Sequence, residues 1–152
     1  MKISTRGRYG SMAMLDLALH YGRGPVLVKD ISRRQNISGR YLENLLIVLK
    51  AAGMVRSSRG AHGGFTLARP PSGIRLSEII CAMEGPVALV GCVAAPDAYP
   101  RVRFCAVHDV WYEVGRAVNN VLESITLQEL AERQVEKQEA CCFSDSDQMF
   151  VS

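Results

Sequence analysis

Between Asp30 and Gly53 the apolar positions fall into register. Leu42, Leu45, Leu46 and Leu49 recur at i, i+3, i+4 and i+7, one apolar stripe of an amphipathic helix. Ser38 stands where an N-cap belongs, its hydroxyl able to accept from an otherwise unpaired amide, and Gly53 stands at the stopping position. Upstream, Asp30 to Gln35 reads as a shorter helix, with Asn36, Ile37 and Ser38 as a tight turn between the two. The pattern predicts a helix-turn-helix.

The face opposite the leucines carries Gly39, Arg40, Glu43 and Asn44, with Tyr41 beside them. Arg matches guanine, Asn matches adenine and Glu accepts from the cytosine amino group, and these types sit in the first two turns of the second helix, where base edges are read. A solvated face of an ordinary helical hairpin has the same composition. The segment after Gly53 separates the two readings. Met54 to Ser58 and Phe65 to Ala68 are strand-like, joined by Arg59-Gly60-Ala61-His62-Gly63-Gly64, and Pro70-Pro71 closes the unit. A hairpin directly after a reading helix is a wing. Its tip residue Arg59 is placed for a minor groove, where A·T tracts concentrate negative potential. The glycines lack the following helix and the Lys-Ser/Thr pair of a phosphate loop, and His62 reads as a solvated turn residue.

The remaining pattern extends this mainly α fold. Ser4 or Thr5 caps a first helix to about Tyr21, with Gly22 and Gly24-Pro25 turning the chain toward a short strand candidate, Val26 to Val28. Leu76 to Glu84 is a helix with Cys81 in its apolar pattern, expected to be a small buried hydrophobe. Pro86 to Phe104 is irregular and flanked by Cys92 and Cys105. A long helix follows from Ala106 to Ser124, with Val107, Val110, Trp111, Val114, Val118, Val121 and Leu122 apolar. That is more than a solvated helix carries, so a second protomer is expected on it. Thr126 and Glu129 form a capping box opening a last helix to about Gln138. The expected organisation is a winged helix-turn-helix domain over 1–85, a cysteine-containing sensor loop over 86–105, dimerisation helices over 106–138 and a mobile tail over 139–152.

Charge sharpens the picture. The net charge of +3 conceals an asymmetry: residues 1–75 hold 13 Lys and Arg against 3 Asp and Glu, residues 76–152 hold 5 against 12. A basic half around a helix-turn-helix is the footprint of a phosphate-backbone binder, with double-stranded DNA as the expected partner. Lys2, Arg6 and Arg8 cluster where they reach phosphates, although a merely solvated basic terminus has the same residues. The acidic half offers a surface for a protein partner. No apolar run approaches the ~20 residues of a membrane span, and no secretory h-region is visible, so a cytoplasmic protein is expected. Five cysteines at irregular spacing then point to metal chemistry, redox chemistry or buried thiols before disulfides. No nucleophile–base–orienter set or nucleotide loop appears, and Cys105 with His108 lacks a third orienting group, so an enzyme is not expected.

With these elements placed, the chain resembles the Rrf-two family of bacterial winged-helix regulators over about residues 1–135. The resemblance rests on Lys2 to Tyr9, Ala13 to Asp16, Asp30-Ile31-Ser32, Ile37-Ser38, Tyr41-Leu42-Glu43, Arg59-Gly60 with Gly63-Gly64, and Ile125-Thr126-Leu127. It implies a homodimer on a palindromic operator, with Arg40, Glu43 and Asn44 in the major groove and Arg59 in the minor. Cluster-bearing members carry three cysteines in the irregular loop, some with a His just after the third. Here Cys92 and Cys105 match the first and third and His108 keeps its spacing, while the middle position is occupied by Ala98 or its neighbours Asp97 and Tyr99. The resemblance therefore implies a 2Fe-2S cluster on Cys92, Cys105 and His108, with a fourth ligand from Asp97, from Cys141-Cys142 or from the partner chain. Histidine replaces cysteine at such irons at the cost of a raised potential. A zinc site on the same residues is spacing-compatible. The competing expectation is a clusterless winged helix controlled by a thiol switch or by a protein partner.

Overall fold

The computed structural model describes residues 3–86 and 90–147, with side-chain surroundings as far as Cys141. Lys2 and the side chain of Cys142 lie outside the described residues. Among the described residues, seven helices and one two-stranded sheet run in the order α1 (Thr5–Leu19), α2 (Val28–Gln35), α3 (Gly39–Ala51), β1 (Val55–Ser58), β2 (Gly64–Leu67), α4 (Leu76–Glu84), α5 (Gly91–Ala94), α6 (Ala106–Ser124) and α7 (Leu127–Asp147). The mainly helical class with a small β wing is as expected.

One core joins these elements. Met14, Leu17, Ile31, Leu42, Leu46, Leu49, Val55, Ile74, Ile79 and Leu127 are buried together, so the leucine stripe of α3 is the inner face of that helix. α1 is central, packing on α4, α3, α7 and α2. The end of α3 shows why Gly53 is needed. At φ 74° it lets its own amide reach the Lys50 carbonyl and the Met54 amide reach Leu49, both at 3.0 Å, a closure that leads straight into β1. β1 and β2 pair antiparallel with Val55 opposite Leu67 and Ser58 opposite Gly64.

Several expectations are corrected. Val26 to Val28 is not a strand: Val26 alone bridges to Phe65 through two 2.9 Å hydrogen bonds, and Val28 already begins α2. The reason is Leu27, whose extended backbone directs its carbonyl to the amides of Asp30 and Ile31 at 3.0 and 3.2 Å, capping α2 two residues early. Gly64 makes the Val26 bridge possible, since a Cβ there would collide with the Val26 backbone. Ser38 occupies the N-cap of α3, but its hydroxyl makes no cap hydrogen bond; only its carbonyl, 2.9 Å from the Leu42 amide, joins the helix. Cys81 is exposed rather than buried. α4 turns Ile79, Ile80 and Met83 inward, and position 81 falls on the other side of that arc. The stretch after Pro86 is not wholly irregular: α5 and two 3-10 turns, Pro96–Ala98 and Val102–Phe104, shorten it. α1 stops at Leu19 rather than Tyr21, and α7 continues past Gln138 to Asp147.

The α6–α7 corner is stitched back onto the winged helix. Leu76 donates to Ile125 at 3.0 Å and Leu127 donates to Ile74 at 2.8 Å, a short bridge between Arg75 and Thr126. The capping box is formed: the Thr126 amide donates to Glu129 Oε2 at 2.8 Å and the Glu129 amide to Thr126 Oγ1 at 3.2 Å. Leu127 is buried there and Ala131 nearly so; α7 thus begins inside the core while α6 projects from it.

Candidate nucleic-acid interface and thiol cavity

α3 is two-faced in strict register. Leu42, Leu45, Leu46 and Leu49 are buried, while Arg40, Glu43, Asn44 and Ile47 are exposed at the same spacing on the opposite side. None of the Arg40, Glu43 or Asn44 side chains is engaged in a hydrogen bond or ion pair with the described residues. Three polar groups of the base-reading types are therefore presented free, on a helix fixed from behind.

The surroundings hold that helix at both ends. Tyr41 meets Tyr9 of α1 edge-on, with centroids 6.1 Å apart at 77°, and the Arg8 guanidinium lies 4.9 Å over the Tyr9 ring. Arg8 thereby sits on the same side as the start of α3 while remaining exposed. At the far end, Lys50 Nζ donates to Ser57 Oγ of β1 at 2.6 Å, tying reading helix to wing. Arg59 is exposed at the wing tip, and no described residue pairs with it. Behind the turn, Ser32 Oγ donates to the Ile37 carbonyl at 2.6 Å and Asn36 adopts the left-handed conformation at φ 52°.

The anchor of the helix-turn-helix is an ion pair that sequence reasoning did not find. Asp16 of α1 is 1 % exposed, and it receives Arg34 Nε at 2.9 Å, Arg34 Nη2 at 2.6 Å and Gln35 Nε2 at 3.0 Å. Burial pushes the Asp16 carboxyl up. The hydrogen bonds from Arg34 and Gln35, with the charges of Arg34 and His20, outweigh it and hold the group below the usual carboxylate range. The two partners are 18 residues apart, so neither periodicity nor local spacing signals them.

α6 presents the second surface. Only Gly115 is buried, while Val107, Val110, Trp111, Tyr112, Val114 and Val121 remain between 38 % and 63 % exposed. A second apolar surface lies against it, a groove of about 400 Å³ lined by Ile3, Met12, Leu15, Ile80, Leu122 and Leu130 among others.

Cys92, Cys105 and His108 are brought together. They line one cavity of about 370 Å³ with Val90, Gly91, Tyr99, Arg101 and Val102. Cys105 is the N-cap residue of α6, so its carbonyl takes the His108 amide at 3.0 Å and both side chains leave from one turn. His108 stacks on Tyr112 at 6.4 Å, and its Nδ1 lies 3.3 Å from Asp109 Oδ1, leaving Nε2 for any ligand. Asp97 is not among the lining residues. Among the described residues no three His, Cys, Asp or Glu side chains are arranged to hold a metal ion. The chain therefore supplies two thiols and an imidazole to one cavity, but not a complete cluster site of its own. No helix among the described residues is long and apolar enough to cross a membrane.

Comparison with known proteins identifies the family. Residues 3–133 match the family model described as Rrf2, iron-dependent transcriptional regulator. The HTH-type transcriptional regulator CymR of Bacillus subtilis is 41% identical over 143 residues, covering 94% of this chain and 99% of CymR. Among solved structures, the global cysteine regulator CymR of B. subtilis superposes with TM-score 0.75 at 38% identity, covering 88% of this chain and 98% of that one. The IscR of T. potens superposes with TM-score 0.76 at 41% identity over 91% of each chain. These relatives are transcriptional regulators rather than enzymes, and their likeness spans the winged helix and continues past it. The chain belongs to the Rrf2 family of transcriptional regulators.

Proposed function

We propose that this regulator binds double-stranded DNA as a homodimer, with α3 in the major groove and the wing in the minor groove. The carrying observation is the free stripe of Arg40, Glu43 and Asn44 directly opposite the buried leucines of α3. Arg59 enters the adjacent minor groove, and Ser38, Tyr41, Arg8 and Lys2 contact phosphates around the reading helix. The apolar side of α6 supplies the dimer contact, so that residues 1–85 read DNA, 86–105 sense, and 106–138 dimerise with the start of α7 docked on the core. The test is selection from a random duplex pool followed by gel-shift titration. A palindromic consensus with two half-sites about 34 Å apart supports the reading, and binding without sequence preference overturns it.

The Cys92–Cys105–His108 cavity is the input. Two cysteines line one cavity, and with His108 they are not arranged among the described residues to hold a metal ion, which favours control by thiol state. The second reading, a 2Fe-2S cluster on Cys92, Cys105 and His108, is supported by the family's description as iron-dependent and needs donors from outside this cavity. If bound, the cluster would draw on one-electron redox chemistry; the chain's own part is to present the Cys92 thiolate from α5 and the Cys105 thiolate and His108 ring from the first turn of α6. A third input, a protein docked on the acidic exposed side of α7 around Glu132, Glu136 and Glu139, is the remaining route of control. Anaerobic purification with iron and sulfide analysis separates the first two, and co-purification under both conditions detects the third.

A further inference from the structure

Ile47 is out of place on α3. It is 60 % exposed, yet it shares a helix with four buried leucines and sits on the side away from them. A single exposed isoleucine is ordinary on a protein surface. The register makes this one different. Arg40, Glu43, Asn44 and Ile47 fall at i, i+3, i+4 and i+7, so Ile47 continues the polar stripe by one turn as its only apolar member.

We propose that Ile47 is a specificity-determining residue that recognises a thymine C5-methyl group in the major groove, one base step beyond those addressed by Glu43 and Asn44. The inference rests on α3 being the reading helix and deepens that reading. Of the four bases only thymine presents a methyl group in the major groove, and apolar side chains are its recognition partners. The spacing fits: three residues of helix advance about 4.5 Å, slightly more than the ~3.4 Å between stacked base pairs. A β-branched side chain also suits the task, because its χ1 is nearly fixed in a helix and its methyls are presented without ordering cost. The helix is held against rocking at both ends, by Tyr41 on Tyr9 and by Lys50 on Ser57, so position 47 keeps a constant height over the groove. Ile47 belongs neither to the buried core nor to the side chains packed against it.

The test uses the duplex recovered by selection, with each thymine in the half-site replaced in turn by deoxyuridine, which deletes only the methyl group. For the wild-type protein one position should weaken binding roughly fourfold per half-site, the value of one buried methyl, and roughly fifteenfold when both half-sites are changed. Ile47→Ala should lose that sensitivity at that position alone and bind the thymine and deoxyuridine duplexes equally. Ile47→Val should keep most of it. Uniform responses to deoxyuridine in wild type and Ile47→Ala overturn the proposal while leaving the DNA-reading role of α3 standing. A wild-type protein that selects no sequence at all removes both.

Discussion

Arg34 of α2 grips Asp16 of α1 with two nitrogens of one guanidinium, at 2.9 and 2.6 Å from the two carboxylate oxygens. Asp16 is buried and Arg34 about one-third exposed, so the pair is a bidentate clamp closed on its inner side and wet on its outer. It fixes the first helix of the helix-turn-helix to the central helix of the core, and through the turn it sets the direction of α3. Removing the guanidinium leaves the buried carboxylate without its ion-pair clamp, with the Gln35 amide as its remaining side-chain donor. Arg34→Met should cost about 3–5 kcal/mol in chemical denaturation.

The same clamp sets a pH response, with opposite signs in the two proteins. In the wild type the folded Asp16 titrates below its ordinary value, so its contribution is complete above the unfolded value of about 3.9 and is lost as pH falls through the folded one. In Arg34→Met the strongest of the opposing interactions is gone, and burial, the largest single influence on Asp16, is expected to raise the folded value. The variant should then recover part of its deficit as pH drops from neutral toward about 5. Equal pH profiles for both proteins would show that the ion pair does not govern Asp16.

The legibility of the fold depends on where each signal sits. α3, α4 and α6 could be read almost to the residue, because each has a periodic apolar face and a capping or stopping residue within a turn of its end. The Asp16–Arg34 clamp was not legible, since its partners meet only after α1 and α2 have folded against one another. Cys81 was misplaced because a nine-residue helix carries too few turns for periodicity to define which edge of the apolar arc is buried. At the candidate site, residue type and register were enough for Arg40, Glu43 and Asn44. They could not show that Cys92 and Cys105 share a cavity, which depends on how α5 folds back on the start of α6.

DNA affinity should be steeply salt-dependent, reflecting the basic first half of the chain. Arg40→Ala and Glu43→Ala should each relax base preference at one position by about 1–3 kcal/mol. Arg8→Ala should weaken all sequences alike and lower the salt slope by about one. Arg59→Ala should cost most on operators whose flanks are A·T-rich. Titrations at several salt concentrations check all four, and affinity unchanged between low and moderate salt contradicts the phosphate-contact assignment.

Dimerisation through α6 has a direct probe. Val114 is 38 % exposed in the single chain and lies on the apolar side of a helix whose only buried residue is Gly115. Val114→Asp leaves the winged-helix core untouched and places a charge in the dimer contact. The variant should run as a folded monomer in light scattering, with helical circular dichroism preserved and operator affinity lost. A wild-type chain that is monomeric at micromolar concentration refutes the dimer itself.

The input cavity makes the most exposed prediction. Under thiol control, hydrogen peroxide converts one thiol of Cys92 or Cys105 to a sulfenic acid with release of water. The other thiol then displaces a second water to leave a disulfide, and a dithiol reductant reverses it. Because Cys105 caps α6, the new bond pulls on the start of the dimerisation helix and so on the spacing of the two reading helices, which must match grooves about 34 Å apart. Operator affinity of the wild type should therefore change on peroxide treatment and return with dithiothreitol. Cys92→Ala and Cys105→Ala should each abolish the response, while Cys81→Ala, whose side chain faces elsewhere, should retain it. If the anaerobic protein instead carries iron, sulfide and visible charge-transfer bands that vanish in Cys92→Ala, Cys105→Ala and His108→Ala, the cluster reading replaces the thiol one. A colourless protein whose operator binding ignores peroxide leaves this cavity without a sensing role and transfers control to a partner on α7.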